Sequence, residues 1–379
     1  MRRRTILGAA TAAATATLAG CGAPPPTRSG TGPSDGASRP TGSPPPSPAP
    51  SAPPRIVAEN LNVPWALAFL PGGDALVSER ETGRILRVPA GGGTPTQAMR
   101  IPDVAADDSG EGGLLGIAVS PAYASDGLVY AYYTTRTDNR IVRFTIGGSA
   151  APPVVPPAVS PILTGLRRGS IHNGGRIAFG PDGKLYAGVG ETGNRGLAQD
   201  RSSLNGKILR INPDGTVPAD NPNAFSAVWT WGHRNVQGLA WDRAGRMWAT
   251  EFGQDTFDEV NLIVAGHNYG WPTVEGVGDT GGGKYTNPLV TWHTSDASPS
   301  GAAILGDTLY VGALRGAAVW PVHLNGATAT VGDRLLHNAY GRIRAVAAGP
   351  DGRLWITTSN RDGRGTLNPG DDKIIAMTV

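Results

Sequence analysis

Apolar residues in this chain fall in short runs, and one unit recurs: a short apolar strand, a turn carrying Pro, Asp or Gly, and a second apolar strand. It is first seen from Ala68 to Val77 around Pro71-Gly72-Gly73-Asp74, and again from Ile117 to Tyr130 around Pro121 and Asp126-Gly127. Further copies run from Ile177 to Val189, Leu239 to Trp248, Ala303 to Tyr310 and Val346 to Ile356, the last turning at Pro350-Asp351-Gly352. Pro presets the turn dihedral, Asp closes the turn with its side chain and Gly accepts the left-handed position. The turn glycines at 73, 127, 183, 245, 306 and 352 are spaced roughly 45 to 62 residues apart, room for four short strands per unit. No sustained 3.6-residue period is present, and Gly or Pro interrupts the apolar runs. The pattern predicts an all-β protein, a six-bladed β-propeller with four-stranded antiparallel blades. Two β-sandwiches would not need one period throughout.

The first residues read differently. Met1-Arg2-Arg3-Arg4, the small and apolar run from Ile6 to Leu18 and the ending Leu18-Ala19-Gly20-Cys21 predict an export signal over 1–20. The paired arginines are compatible with twin-arginine export as well as the ordinary secretory route. The ending resembles a bacterial lipoprotein cleavage box, with Cys21 as the lipidated first residue of the mature chain, anchored to the outer face of the cell membrane. Residues 21–54 then form a tether: from Gly22 to Pro54 there are 33 residues, 12 of them Pro, too little apolar mass to fold. Residues 55–379 form the propeller domain.

Cys21 is the only cysteine, which excludes disulfides, thiolate-bound metals and cysteine nucleophiles from the folded part. The chain has 33 Lys and Arg against 30 Asp and Glu, a formal charge of +3, and Arg2, Arg3 and Arg4 leave with the signal. The mature chain is therefore near neutral and offers no basic field for nucleic acid. The membrane enters only through the lipid anchor.

Candidate chemistry sits at the ends of the repeats. His172 and Glu191 flank the third hairpin, offset by about two residues or roughly 7 Å along a strand, so their side chains can meet. A histidine beside a carboxylate is a general base with its tautomer fixed; a loop histidine with one hydrogen bond is the plain alternative. Glu111 stands in Gly110-Glu111-Gly112-Gly113, where glycines let the backbone approach a ligand; no helix or Lys-Ser/Thr follows to make it a phosphate loop. Arg234 and Asn235 set a cation beside a carboxamide, suited to an anion or a developing alkoxide, or else to a salt bridge between blades. The segment from Glu251 to Asn261 is acidic and oxygen-rich, as a calcium loop or as a capped, solvated loop would be. Arg342 and Arg344, two apart, project from one face of a strand. With Arg315 they either converge on a polyanionic ligand or are ordinary surface arginines.

Taken in order, Asn62-Val63-Pro64-Trp65 with Ser78-Glu79-Arg80, Gly112 to Gly116, His172-Asn173-Gly174-Gly175, Asn205 to Arg210, Gly232-His233-Arg234-Asn235, Asp258 to Asn261 and Asn268 to Pro272 resemble the glucose/sorbosone dehydrogenases. These are soluble quinoprotein aldose dehydrogenases that carry pyrroloquinoline quinone (PQQ) on a six-bladed propeller. The resemblance implies that His172 removes the proton of the sugar's anomeric hydroxyl as hydride passes to C5 of the quinone, with Glu191 holding the histidine. It implies that Arg234 stabilises the reduced oxygen of the cofactor and Asn235 contacts it, and that Arg315, Arg342 and Arg344 bind its carboxylates and carbonyls. Glu111 joins the cofactor pocket, and the carbonyls of Gly253 and Gln254 hold Ca2+, which polarises the quinone. Members specialised for glucose typically carry an amide at the place of Glu111, Lys at Arg315, Asp at Glu191 and Pro at Gln254, so the choice of sugar is open.

The expected activity is PQQ-dependent oxidation of an aldose sugar at C1 to a lactone, with electrons passed to an external acceptor. Two other readings stay open: a calcium-dependent lactonase-type propeller hydrolase, and a non-catalytic propeller that binds sugar or protein.

Overall fold

The computed structural model describes residues 52–105, 110–147 and 158–379. Cys21, the expected export signal and most of the expected tether lie outside them. Among the described residues, strands form six four-stranded antiparallel sheets, the blades of a propeller. Strand β1 (Arg55–Ala58) comes first. Blade 1 is β2 (Pro64–Phe69), β3 (Ala75–Glu79), β4 (Arg84–Val88) and β5 (Thr96–Arg100). Blade 2 is β6 (Leu114–Val119), β7 (Leu128–Thr134), β8 (Asn139–Thr145) and β9 (Ser160–Leu166), with the short helix α1 (Tyr123–Asp126) in its first turn. Blade 3 is β10 (Ile177–Phe179), β11 (Leu185–Val189), β12 (Lys207–Ile211) and β13 (Val228–Trp231), with α2 (Gly196–Gln199) between its second and third strands. Blade 4 is β14 (Val236–Trp241), β15 (Met247–Glu251), β16 (Phe257–Ile263) and β17 (Val290–His293). Blade 5 is β18 (Pro299–Leu305), β19 (Thr308–Ala313), β20 (Ala318–Asn325) and β21 (Thr328–Val331). Blade 6 is β22 (Ile343–Ala348), β23 (Leu354–Thr358) and β24 (Ile374–Met377), completed by β1, whose Ile56 pairs with Ile375. This closure ties the first described strand to the last and leaves the ring without a seam.

The unit that recurs in the sequence is the pair of inner strands of each blade. Second strands such as β3, β11, β15 and β23 are buried along their whole length, because each is covered on both faces by the neighbouring blades. They therefore open on consecutive apolar residues rather than on an alternating pattern, with polar residues such as Ser78-Glu79 and Thr250-Glu251 only at the end toward the mouth. In three blades the turn Asp also anchors a ring on the following strand: Tyr186 donates to Asp182 at 2.9 Å, Trp248 to Asp242 at 3.1 Å and Trp355 to Asp351 at 3.1 Å. Rings then cross between blades edge to face, Phe69 on Trp355 at 5.2 Å and Tyr130 on Phe179 at 5.1 Å.

All these hairpin turns lie at one end of the channel. The loops from each outer strand to the next inner strand, and those from second to third strands, lie at the other. Glu111, His172, Arg234, Asn235 and Arg342 ride on the first kind of loop, and Glu191, Gly253, Gln254 and Arg315 on the second. One mouth thus collects residues scattered over most of the chain.

Candidate active site

The third blade supplies a fixed pair. His172 Nδ1 lies 2.6 Å from Glu191 Oε1, and the carboxylate is only 1% exposed. Their loops are held from several sides. His172 has a left-handed φ of 53°, a conformation that costs a non-glycine residue on the order of 1 kcal/mol. Its N–H donates to Glu111 Oε2 at 2.9 Å and its carbonyl accepts from the Thr192 N–H at 3.1 Å. A Cβ at Gly190 would collide with that carbonyl, so only glycine lets the two loops approach. Next to it, the Asn173 side chain closes the loop on Gly169 and accepts from Asn139, while its carbonyl accepts from the Tyr132 hydroxyl.

The fourth blade adds Arg234 and Asn235, whose N–H groups both donate to Glu251 Oε1. His233 Nδ1 pairs with the other oxygen of Glu251 at 2.8 Å, and the imidazole stacks on Tyr269. Arg234 reaches the Phe252 carbonyl at 3.2 Å and lies 5.5 Å from the Trp271 ring; it makes no ion pair between blades among the described residues. Burial lowers its pKa, although Glu191 and Glu251 oppose the shift. The Asn235 Oδ1 accepts from the Gly174 N–H at 3.0 Å, which fixes the amide orientation. Two donors are then left buried without a partner, Arg234 Nε and Asn235 Nδ2. Buried donors normally have an acceptor, so these two mark a place for a ligand.

The sixth blade binds its arginines together. Arg342 and Arg344 both donate to Asp362 Oδ2, at 3.0 and 3.2 Å. Arg344, 5% exposed, also reaches Ser359 Oγ and Gln237 Oε1. Burial and the neighbouring Arg80 bring the Arg344 guanidinium down to about 10. Burial opposes the charge of Asp362, but the two guanidiniums outweigh it and hold the carboxyl below its ordinary range.

The Gly253-Gln254 loop is held from behind. Asp258 accepts the N–H of Gly253 and of Ser298, and Glu275 Oε1 accepts those of Gln254, Asp255, Thr256 and Phe257. Among the described residues no hydrogen bond reaches the carbonyls of Gly253 or Gln254. Burial pushes Asp258 up to about 6.

The mouth consists of two adjoining depressions of about 360 and 390 Å³. Glu111, His172, Arg234, Gly253, Gln254, Arg315 and Arg342 line the second; Glu111 and Arg344 line the first, with Trp65 and Gln237. Glu191 and Asn235 stand behind the wall. The three arginines are not equivalent: Arg342 and Arg344 share a carboxylate, whereas Arg315 is exposed and lines the second depression without an ion pair among the described residues. Asp362, Gln237, Trp65 and Arg364 escaped sequence reasoning. Of these, only Trp65 lay in a segment the sequence singled out, Asn62-Val63-Pro64-Trp65, and there it carried the family resemblance and no role at the site. Arg364 pairs with Glu111 at 2.9 Å across the mouth, and this contact with the His172 N–H outweighs burial and lowers the Glu111 pKa.

The chain belongs to the glucose/sorbosone dehydrogenase family, whose sequence profile matches residues 61–368. It is similar to the structure titled the PQQ-bound form of aldose sugar dehydrogenase from Streptomyces coelicolor, with 51% identity, 87% of this chain and 99% of that one covered, and a TM-score of 0.81. It is 31% identical to the aldose sugar dehydrogenase YliI of Escherichia coli over 81% of this chain and 90% of that protein. It is 35% identical to quinoprotein glucose dehydrogenase B of Acinetobacter calcoaceticus over 62% of this chain, a match that spans 55% of that longer protein.

Proposed function

We propose that this protein is a quinoprotein aldose dehydrogenase that oxidises C1 of an aldose sugar to the lactone and passes the electrons to an external acceptor. The observation that carries the reading is the His172–Glu191 pair opening onto the same depression as Arg234, Arg315 and Arg342. The residues present suit a polycarboxylate quinone. Guanidiniums meet carboxylates in matching forks, and Arg234, which lines the depression, carries a donor without a partner, with that of Asn235 just behind the wall. They also suit calcium, a hard cation that takes oxygen ligands: the carbonyls of Gly253 and Gln254 would hold it.

When bound, PQQ supplies the two-electron oxidant that receives the hydride from C1. The chain does the rest. Glu191 accepts a hydrogen bond from the Nδ1–H of His172, which leaves Nε2 as the base for the C1 hydroxyl proton and favours the imidazolium that forms. Arg234, which lines the depression, would stabilise negative charge developing on the oxidant bound there. A lactonase would gather carboxylates around a metal at the mouth, which here gathers guanidiniums.

The reading is tested by adding PQQ and calcium chloride to the purified apoprotein and following dye reduction with a panel of aldoses, with calorimetry of PQQ binding in parallel. Absence of both dye reduction and binding overturns it. We propose further that the chain is exported and lipidated at Cys21, on the strength of the Leu18-Ala19-Gly20-Cys21 sequence. Cys21→Ala should then move the protein from the membrane fraction to the medium; an unchanged distribution would refute the anchor.

A further inference from the structure

The floor of the mouth is a cation–π pair. The Arg176 guanidinium lies 4.3 Å from the centre of the Trp65 ring. Trp65 lines the depression above, whereas Arg176 lines the cavity below, a space of about 490 Å³ walled by apolar residues such as Ala118, Ala240 and Ala303 from the inner strands. Arg176 Nε donates to the Gln237 carbonyl at 2.7 Å, and its Nη2 is buried without a partner. Among the described residues no carboxylate pairs with it. Burial, with repulsion from Arg344, brings it down to about 9, so it remains charged at neutral pH. Gln237 also links it upward, since Gln237 Oε1 accepts from Arg344 Nη1 at 3.3 Å.

A buried charge with no counter-charge costs stability, and an apolar side chain of similar length would pack as well against Trp65. An anion arriving from outside would compensate the charge. Of the two spaces that flank the pair, the cavity below adds no second cation to Arg176, whereas the mouth above Trp65 carries Arg80, Arg344 and Arg364. We propose that Arg176 is a positioning residue for the cofactor: through Trp65 and the Gln237–Arg344 link it places an uncompensated positive charge beneath the mouth that holds a polycarboxylate there. This inference rests on the functional reading above, and its test separates the two.

The test titrates PQQ into the calcium-loaded wild-type protein, Arg176→Met and Arg176→Lys by calorimetry, and follows thermal unfolding of each without cofactor. Arg176→Met should weaken PQQ binding by about tenfold or more, and Arg176→Lys, which keeps the charge, should stay within about threefold of wild type. The Met variant should unfold, without cofactor, no earlier than wild type. Equal losses in the two variants, unchanged binding by the Met variant, or its earlier unfolding would each make Arg176 a packing residue and overturn the inference. Wild-type protein that fails to bind PQQ would overturn the functional reading and this inference with it.

Discussion

His172 and Glu191, 19 residues apart, meet at 2.6 Å where the two strands of one hairpin open onto the propeller mouth. Glu191 Oε1 takes the imidazole, Oε2 is buried without a partner, and the Glu191 N–H is held by the Arg234 carbonyl. Glu191→Gln keeps this shape and removes the charge that stabilises an imidazolium. It should lower kcat by about 10² to 10⁴-fold, as for other base-orienting carboxylates, and leave PQQ affinity within a few-fold. Single-turnover dye reduction beside calorimetry separates the two effects. A kcat within threefold of wild type would remove Glu191 from the mechanism.

His172→Ala removes the base itself. Turnover should fall by at least about 10³-fold while the cofactor still binds, because His172 supplies one wall of a depression otherwise lined by Arg234, Arg315 and Arg342. Equal loss of binding and turnover would instead make His172 a cofactor ligand.

Arg344 should behave in the opposite way. It is buried and donates to Asp362, Ser359 and Gln237, so Arg344→Ala removes a charge-assisted contact and leaves Asp362 with one ion-pair partner among the described residues, Arg342. PQQ affinity should drop about 10²-fold, while kcat at saturating PQQ stays near wild type. A lower kcat with unchanged affinity would contradict the placement of Arg344 in cofactor binding.

These contrasts follow from parts of the molecule that differ in how far they can be read from sequence. The inner hairpins were legible because burial on both faces makes strands such as β11, Leu-Tyr-Ala-Gly-Val, continuously apolar. Outer strands were not: β5, Thr-Gln-Ala-Met-Arg, and β21, Thr-Ala-Thr-Val, are largely exposed and carry no such signature. The joining of β1 to β24 depends on ring closure, which no local pattern encodes. At the site, His172 and Glu191 were legible because one short turn sets their separation. The Gln237–Arg344 and Glu111–Arg364 contacts bridge 107 and 253 residues, and only the superposition of blades brings them together.

The calcium reading makes a demand on Glu275. One of its oxygens gathers four successive backbone N–H groups, from Gln254 to Phe257, and so sets the course of the loop whose carbonyls would face the ion. Glu275→Ala should weaken calcium affinity about tenfold or more, because outer partners of a metal site hold its ligands in place. Gln254→Ala, which keeps the carbonyl, should leave it nearly unchanged. Chelation followed by calcium titration, read as recovered dye reduction, gives both values. Equal sensitivity of the two variants would exclude a carbonyl site held by Glu275.

Acid–base chemistry beneath the site should appear in the stability of the apoprotein. Glu259 lies opposite Glu251 across β15 and β16, and burial, with repulsion from Glu251, pushes its pKa up to about 8. A carboxyl raised in the folded state binds its proton more tightly there than in the unfolded chain, whose value is about 4.3. The stability it contributes is complete below about pH 4 and is lost as the pH climbs through the folded value. Without calcium and PQQ, the unfolding midpoint should therefore fall between pH 5 and 8.5. Glu259→Gln should flatten the fall with little cost elsewhere. The new amide oxygen can keep the Gly276 N–H, and its NH₂ can donate to Asn261 Oδ1, which has no partner in the wild type, once that amide turns. At pH 8.5 the variant should unfold about 4 °C or more above wild type, and at pH 5 the two should coincide. Parallel pH profiles for the two proteins would show that Glu259 is ionised in the folded state after all.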